Sequence, residues 1–393
     1  MNSLISPALL MTVLLVSLSA TLPAAASEPQ PAPQTAQQAS NELAELKERI
    51  AVLEEQLAVL AECEACQPED PCEVPLENTL YGDFQLQGFW SSIAGNDASD
   101  VSDIDLYWGE IGWDLAQGPW SGHFSLMLDE EAVELYEAWG MYMQPESGAF
   151  AQFGRMMLPF ADNNSFFPTY SAANDLGATT ARAIGGGIDD ERYRIAAYLY
   201  NPDVEKLGFA TNGGQEPADE LSEYLLWWDI SRREATDCAD GWQFSAGYIS
   251  QLAEHDCGIE TTPVANCVPG LNLFGEYDWS GKRWHAIAEY TAALEQFDAS
   301  DLDANEDGIG DKPVAWNFEL AHTPDEQDTW AFGYQRSEQF VDHARNRYAL
   351  MYGRRLCELA ELRLELSRGE YDDFATDGRS SDTTFVAEYH LSF

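Results

Sequence analysis

Alternating apolar and polar positions, an aromatic-rich composition and alternating short and long connections predict one fold class. It is an all-β transmembrane antiparallel barrel of about 16 strands, preceded by a short coiled-coil helix. The chain has 393 residues, and its 12 Trp, 17 Tyr and 18 Phe suit strands and membrane-interface belts. Thr383 to Phe393 shows the pattern. Thr383, Phe385, Ala387, Tyr389, Leu391 and Phe393 share one face, and Thr384, Val386, Glu388, His390 and Ser392 the other. Successive strand side chains point to opposite faces, so one face is apolar and the other wet. A soluble β-sandwich would bury the apolar face, but so many long strands would need several cores.

Residues 1–26 carry no charged side chain, hold an apolar stretch from Leu9 to Leu18 and end in Ala24-Ala25-Ala26. That is the pattern of a secretory signal peptide. Beyond it no apolar run reaches about eighteen residues, which excludes helical spans. The formal net charge is −48, with 68 acidic residues, which excludes a nucleic-acid partner. Such acidity raises the local cation concentration. Adaptation of exposed loops to high salt and a role in ion selection are both compatible with it.

Residues 27–40, rich in Pro, Gln and Ala, read as a flexible leader. Residues 41–62 follow with Leu43, Leu46, Ile50, Leu53, Leu57 and Leu60 at heptad spacing, the seam of a coiled coil on the periplasmic side. The alternative is an amphipathic helix lying on its own barrel. Intersubunit pairing, as a homotrimer, is the reading favoured, because so short a helix needs a partner. Residues 63–79 form a Cys-containing linker, and 80–393 the barrel.

The strands from Leu80 onward keep the two-faced pattern. Trp120, Phe124 and Leu126 oppose Ser121, His123 and Ser125. Trp316, Phe318 and Leu320 oppose Ala315, Asn317 and Glu319. Leu362, Leu364 and Leu366 oppose Glu361, Arg363, Glu365 and Ser367. Apolar residues facing lipid and polar residues facing a wet lumen account for this. Short turns fall at Gln117-Gly118, Pro145-Glu146-Ser147, Asp189-Asp190 and Ser280-Gly281, with longer polar loops near 160–177, 201–220, 253–269 and 297–312.

A strand ending on a terminal aromatic residue resembles the closing strand of bacterial outer-membrane barrels. Phe153-Gly154-Arg155-Met156-Met157-Leu158-Pro159-Phe160 resembles the Gly-Arg/Lys…Pro-Phe stretch of LbtU-like siderophore porins, and more loosely that of phosphate-selective porins. Ala161 stands where that family commonly has Gly. The resemblance implies an outer-membrane porin passing small solutes, with an iron–siderophore complex as cargo. It also implies that the loop after Pro159 folds inward, placing Asp162 and Asp175 at a constriction. A cationic side chain facing lipid at mid-membrane costs about 2–4 kcal/mol, so Arg155, Arg182, Arg192 and Arg194 are expected in the lumen. There they would set a transverse field with the loop carboxylates, or stiffen the wall as salt-bridge struts. Alternation then turns Phe153 inward with Arg155.

In Asp301-Leu302-Asp303-Ala304-Asn305-Glu306-Asp307-Gly308-Ile309-Gly310-Asp311, oxygen ligands recur at every second position before a Gly. The loop resembles those of thrombospondin type 3 and dockerin repeats. Asp301, Asp303, Asn305, Asp307, the Ile309 carbonyl and Asp311 are candidate ligands for a structural Ca²⁺. An acidic loop without an ion is the alternative. Of 7 Cys, Cys257 and Cys267 share a predicted external loop and are expected to pair. Cys63, Cys66, Cys72, Cys238 and Cys357 are read as disulfide bracing of the coil base, with a soft-metal site as the alternative. The 6 His are scattered without a nucleophile motif, so no catalytic residue is expected. His322 reads as an interfacial residue. The expected function is passive diffusion of small solutes through the outer membrane, the alternative being an anchor that tethers the envelope through its coil.

Overall fold

The computed structural model describes residues 76–95, 100–128, 133–161, 164–190, 192–201, 223–232, 240–252, 266–279, 283–303, 307–325, 327–340, 343–372 and 379–393. The expected signal peptide, leader and coiled coil lie outside them. Among the described residues sixteen strands close into one antiparallel barrel. The first eight are β1 (Glu77–Gly95), β2 (Val101–Gln117), β3 (Trp120–Leu128), β4 (Val133–Met143), β5 (Ala149–Met157), β6 (Thr180–Asp189), β7 (Tyr193–Asn201) and β8 (Glu223–Arg232). The rest are β9 (Gly241–Ile249), β10 (Gly270–Trp279), β11 (Trp284–Ala293), β12 (Val314–His322), β13 (Asp328–Glu338), β14 (Asn346–Cys357), β15 (Ala360–Glu370) and β16 (Arg379–Ser392). The barrel begins at Glu77, slightly before the Leu80 expected from alternation.

Each strand pairs with its sequence neighbours, and β1 closes on β16 from Asp83↔Ser392 to Gly95↔Arg379. The seam continues through Phe393, which exchanges two backbone hydrogen bonds of 3.0 Å with Gly82. One barrel end carries tight turns, such as Gly118-Pro119, where Gly118 takes a left-handed conformation with φ 60°. The other end carries the longer connections, including 158–179, 250–269 and 294–313.

The barrel is apolar outside and polar inside. Leu86, Phe124, Leu226, Phe318, Leu350 and Leu366 lie exposed on the outer wall, while Gln87, Asn272, Asn317, Glu319, Glu365 and Glu388 are buried within. So large an apolar surface is incompatible with water and matches hydrocarbon. Near the turn end it is rimmed by aromatic pairs, two tilted (Trp120–Tyr142 and Trp330–Tyr352) and two stacked (Trp279–Trp284 and Trp284–His322), with centroids 4.3–6.0 Å apart. Tyr224–Tyr248, Tyr290–Trp316 and Tyr334–Tyr348 form a second ring near the loop end. Amphipathic rings at both edges mark the two membrane interfaces.

Candidate functional site: a lumen narrowed by the third loop

The connection 158–179 after β5 folds into the barrel. Its chain is turned by a short helix, α1 (Ala172–Gly177), whose N-cap Ser171 Oγ accepts the Asn174 N–H at 3.0 Å. Leu158, Phe160 and Leu176 join Met156, Tyr200, Leu225 and Ile249 in an apolar cluster. That cluster seats the loop against one side of the lumen. Farther along, Phe167 lies on Ala321, Ala331, Ala349 and Met351. Its ring covers Gly333, where an added Cβ would stand 2.8 Å from it. Small inward residues on β12–β14 thus make room for the loop.

Polar side chains from five strands then tie the loop down. Ser165 Oγ and the Phe166 N–H each donate to Glu319 at 2.8 Å. Thr169 Oγ1 donates to Glu365 at 2.8 and 2.9 Å. The Arg347 guanidinium donates to Glu365 at 2.9 Å, to Thr169 Oγ1 at 2.9 Å and to Ser367 at 3.0 Å. Gln87 donates to the Pro168 carbonyl at 3.1 Å and to Glu388 at 2.8 Å. Thr291 Oγ1 donates to the Ala173 carbonyl at 2.9 Å. Buried carboxylates that accept several charge-assisted bonds fix a chain segment firmly.

What remains open is a cavity of ≈ 1060 Å³ between the polar side of the loop and the wall of β1, β2, β4, β15 and β16. Asp83, Glu110, Glu137 and Asp175 line it, against Arg363 and His343. Arg363 is itself engaged by Glu361 at 3.0 Å and Glu388 at 3.5 Å. Asp175 stands 3.6 Å from His343. Burial pushes the Asp175 carboxyl up to about 6, against the opposing pull of Arg347. The lining is net acidic.

Three solved barrels show the same architecture. The chain aligns with OmpF of Salmonella typhi, solved in complex with daunomycin, at a TM-score of 0.57 and 10% identity, covering 82% of this chain and 100% of that one. The anion-selective porin from Comamonas acidovorans gives 0.55 and 10%, covering 81% and 100%. The outer membrane channel DcaP of Acinetobacter baumannii gives 0.53 and 13%, covering 81% and 97%. The fold is that of the porins. No protein-family model matches the chain, and no curated protein matches it.

In this barrel the sequence-predicted residues scatter. Asp175 lies at the cavity, while Asp162 falls outside the described residues. Arg194 faces inward near the turn end, over the rings of Phe150 at 4.8 Å and Trp227 at 5.6 Å and beside Asp189 at 3.7 Å. Arg192 is exposed in the turn before β7. Arg155 and Arg182 are corrected. They pair across β5 and β6 on the face that exposes Phe153 and Ile184, the outer one. Each is two residues from the loop end of its strand, where the cost of a lipid-side arginine falls to about 0–1 kcal/mol. Arg155 Nε donates to the Tyr136 carbonyl at 3.1 Å.

The cations that do face the lumen at the loop, Arg347 and Arg363, stood in the sequence as charges inside alternating strands. Two aromatic residues were hidden for another reason. On β2 the register skips Tyr107, between Gln85↔Trp108 and Leu86↔Leu106. On β4 it skips Tyr136, between Ser125↔Glu137 and Leu126↔Leu135. Each is the extra residue of a β-bulge, invisible to strict alternation.

In the acidic loop, Asp303 accepts the N–H groups of Asp307 at 3.1 Å and Gly308 at 2.9 Å, and Asp307 accepts that of Ile309 at 2.8 Å. The Asp311 N–H donates to the Leu302 carbonyl at 2.8 Å, and Asp301 is buried nearby. Asn305 lies outside the described residues. Among the described residues no three His, Cys, Asp or Glu groups converge on a metal position. Cys267 sits 3.5 Å from Glu223, and its expected partner Cys257 lies outside the described residues.

Proposed function

We propose that the protein is an outer-membrane porin through which small solutes diffuse passively, with cations favoured over anions. The observation that carries this reading is the net-acidic cavity left beside an inward-folded loop, inside a barrel whose exterior is apolar. Carboxylates in a low-dielectric constriction attract cations and repel anions. The turn end then faces the periplasm and the long loops the exterior, as short turns and long loops distribute in such barrels. A homotrimer is part of the proposal through the heptad seam of residues 41–62. The iron–siderophore cargo implied by the 153–160 stretch belongs to it as well, and ferric-siderophore uptake by cells with and without the protein tests that cargo.

The ion preference is tested by reversal potentials across a potassium chloride gradient in planar bilayers. A sign showing potassium to be more permeant than chloride supports the reading. A chloride preference, or no conductance, refutes it.

A further inference from the structure

The two β-bulges carry the inference. A bulge re-aims a side chain at the expense of a ladder bond and is a built feature rather than a defect. Here two separate strands each spend one on an aromatic residue. Tyr136 and its neighbour Glu137 both line the cavity, together with Trp108 and Glu110 from β2. The Tyr136 and Trp108 rings meet edge to face, with centroids 5.2 Å apart and planes at 84°. Tyr107, the other bulged residue, meets Tyr170 of the inward loop at 5.8 Å. That loop contact places the Tyr107 ring in the lumen as well.

An edge-to-face pair leaves ring faces that its own partner does not cover. Such faces carry negative potential and attract cations. Carboxylates stand beside them: Glu110, which accepts from Tyr81 Oη at 2.7 Å, and Glu137, 3.5 Å from His123. Packing alone would be served by leucine. A bare ion filter would need no rings. Rings and acids together suit a solute with an apolar stem and a positive head.

We propose that the wall of Tyr107, Trp108, Tyr136 and Tyr170, with Glu110 and Glu137, is a binding subsite for organic cations bearing ammonium or guanidinium groups. It rests on the porin reading and names a solute class for that pore. A transient site inside a pore raises flux of its ligand at low concentration and interrupts the current of smaller ions while occupied.

The test is single-channel recording of the full chain in potassium chloride with 1,5-diaminopentane, glucose or glutarate added. Diaminopentane should interrupt the current in a concentration-dependent way at millimolar levels or below, and glucose and glutarate should not. Trp108→Leu should weaken the block about tenfold, Trp108→Phe should retain it, and Glu110→Gln with Glu137→Gln should weaken it again. Potassium conductance in each variant shows that the barrel has assembled. Equal interruption by glucose would make the wall a sugar site, and an unchanged block in Trp108→Leu would remove the rings from it. Either result overturns the proposal. A conducting pore that ignores diaminopentane also sinks the subsite but leaves the porin reading intact, whereas a silent barrel sinks the porin reading itself.

Discussion

Arg347 joins the third loop to the wall through three partners, and one of them, Glu365, has no exposed surface. Removing the cation leaves a buried carboxylate without its charge partner, which costs about 3–5 kcal/mol. Arg347→Ala should therefore lower the melting temperature of the detergent-solubilised barrel and raise its conductance as the loop loosens. Glu365→Gln should cost less, because an amide oxygen still accepts from Thr169 and Arg347. Asp175 supplies a second residue-scale prediction. Its carboxyl is raised to about 6, so the docked loop holds that proton more tightly than an unfolded chain does. The contribution of this group to docking is complete below the ordinary carboxylate range and is lost as pH rises through about 6. The lumen therefore loses one negative charge on acidification from pH 7.5 to 5. The potassium-to-chloride permeability ratio should fall about two- to fourfold over that interval. A ratio independent of pH would remove Asp175 from the selectivity account.

The third loop is the element on which the bore depends, and its seat is a patch of small residues. Gly333→Leu would place side-chain atoms where the Phe167 ring now lies, so the loop should lift and the unit conductance rise. Unchanged conductance would mean that Phe167 does not hold the constriction. Calcium binding by loop 301–311 is a separate proposal at this scale. Since Asp303 already turns its oxygens to backbone N–H groups, any calcium-induced rise in melting temperature should be small. Whatever rise occurs should vanish in Asp303→Ala with Asp307→Ala, and an equal rise in that variant would dismiss the site. Strand faces were legible in the sequence wherever alternation was unbroken, as in β12 and β15, because each residue there reports one wall. The lumen was less legible. A lipid-cost argument sends arginines inward only at mid-depth, and Arg155 and Arg182 sit at strand ends where that cost fades. The bulged Tyr107 and Tyr136 break the very period by which faces are read. The partners of the inward loop, such as Glu319 and Arg347, are set by closure of the barrel, which brings residues more than 150 positions from Ser165 and Thr169 into contact with them.

At the scale of the molecule, the chain is inside out relative to a soluble protein, and every other conclusion depends on that inversion. Aromatic rings at both rims, buried polar residues within and an unbroken ring of strand pairs agree on a closed wall between lipid and water. The seam between β1 and β16 completes the ring through the Gly82–Phe393 pair. Deleting Phe393 should lower the heat resistance of the folded barrel on electrophoresis, because two backbone bonds and the ring contact with Phe84 go with it. The most direct measurement is single-channel conductance of the purified protein in planar bilayers, without any energy source. Discrete, ohmic current steps that grow when the third loop is loosened by Arg347→Ala are the predicted result. A correctly folded barrel that inserts and stays silent would contradict the account.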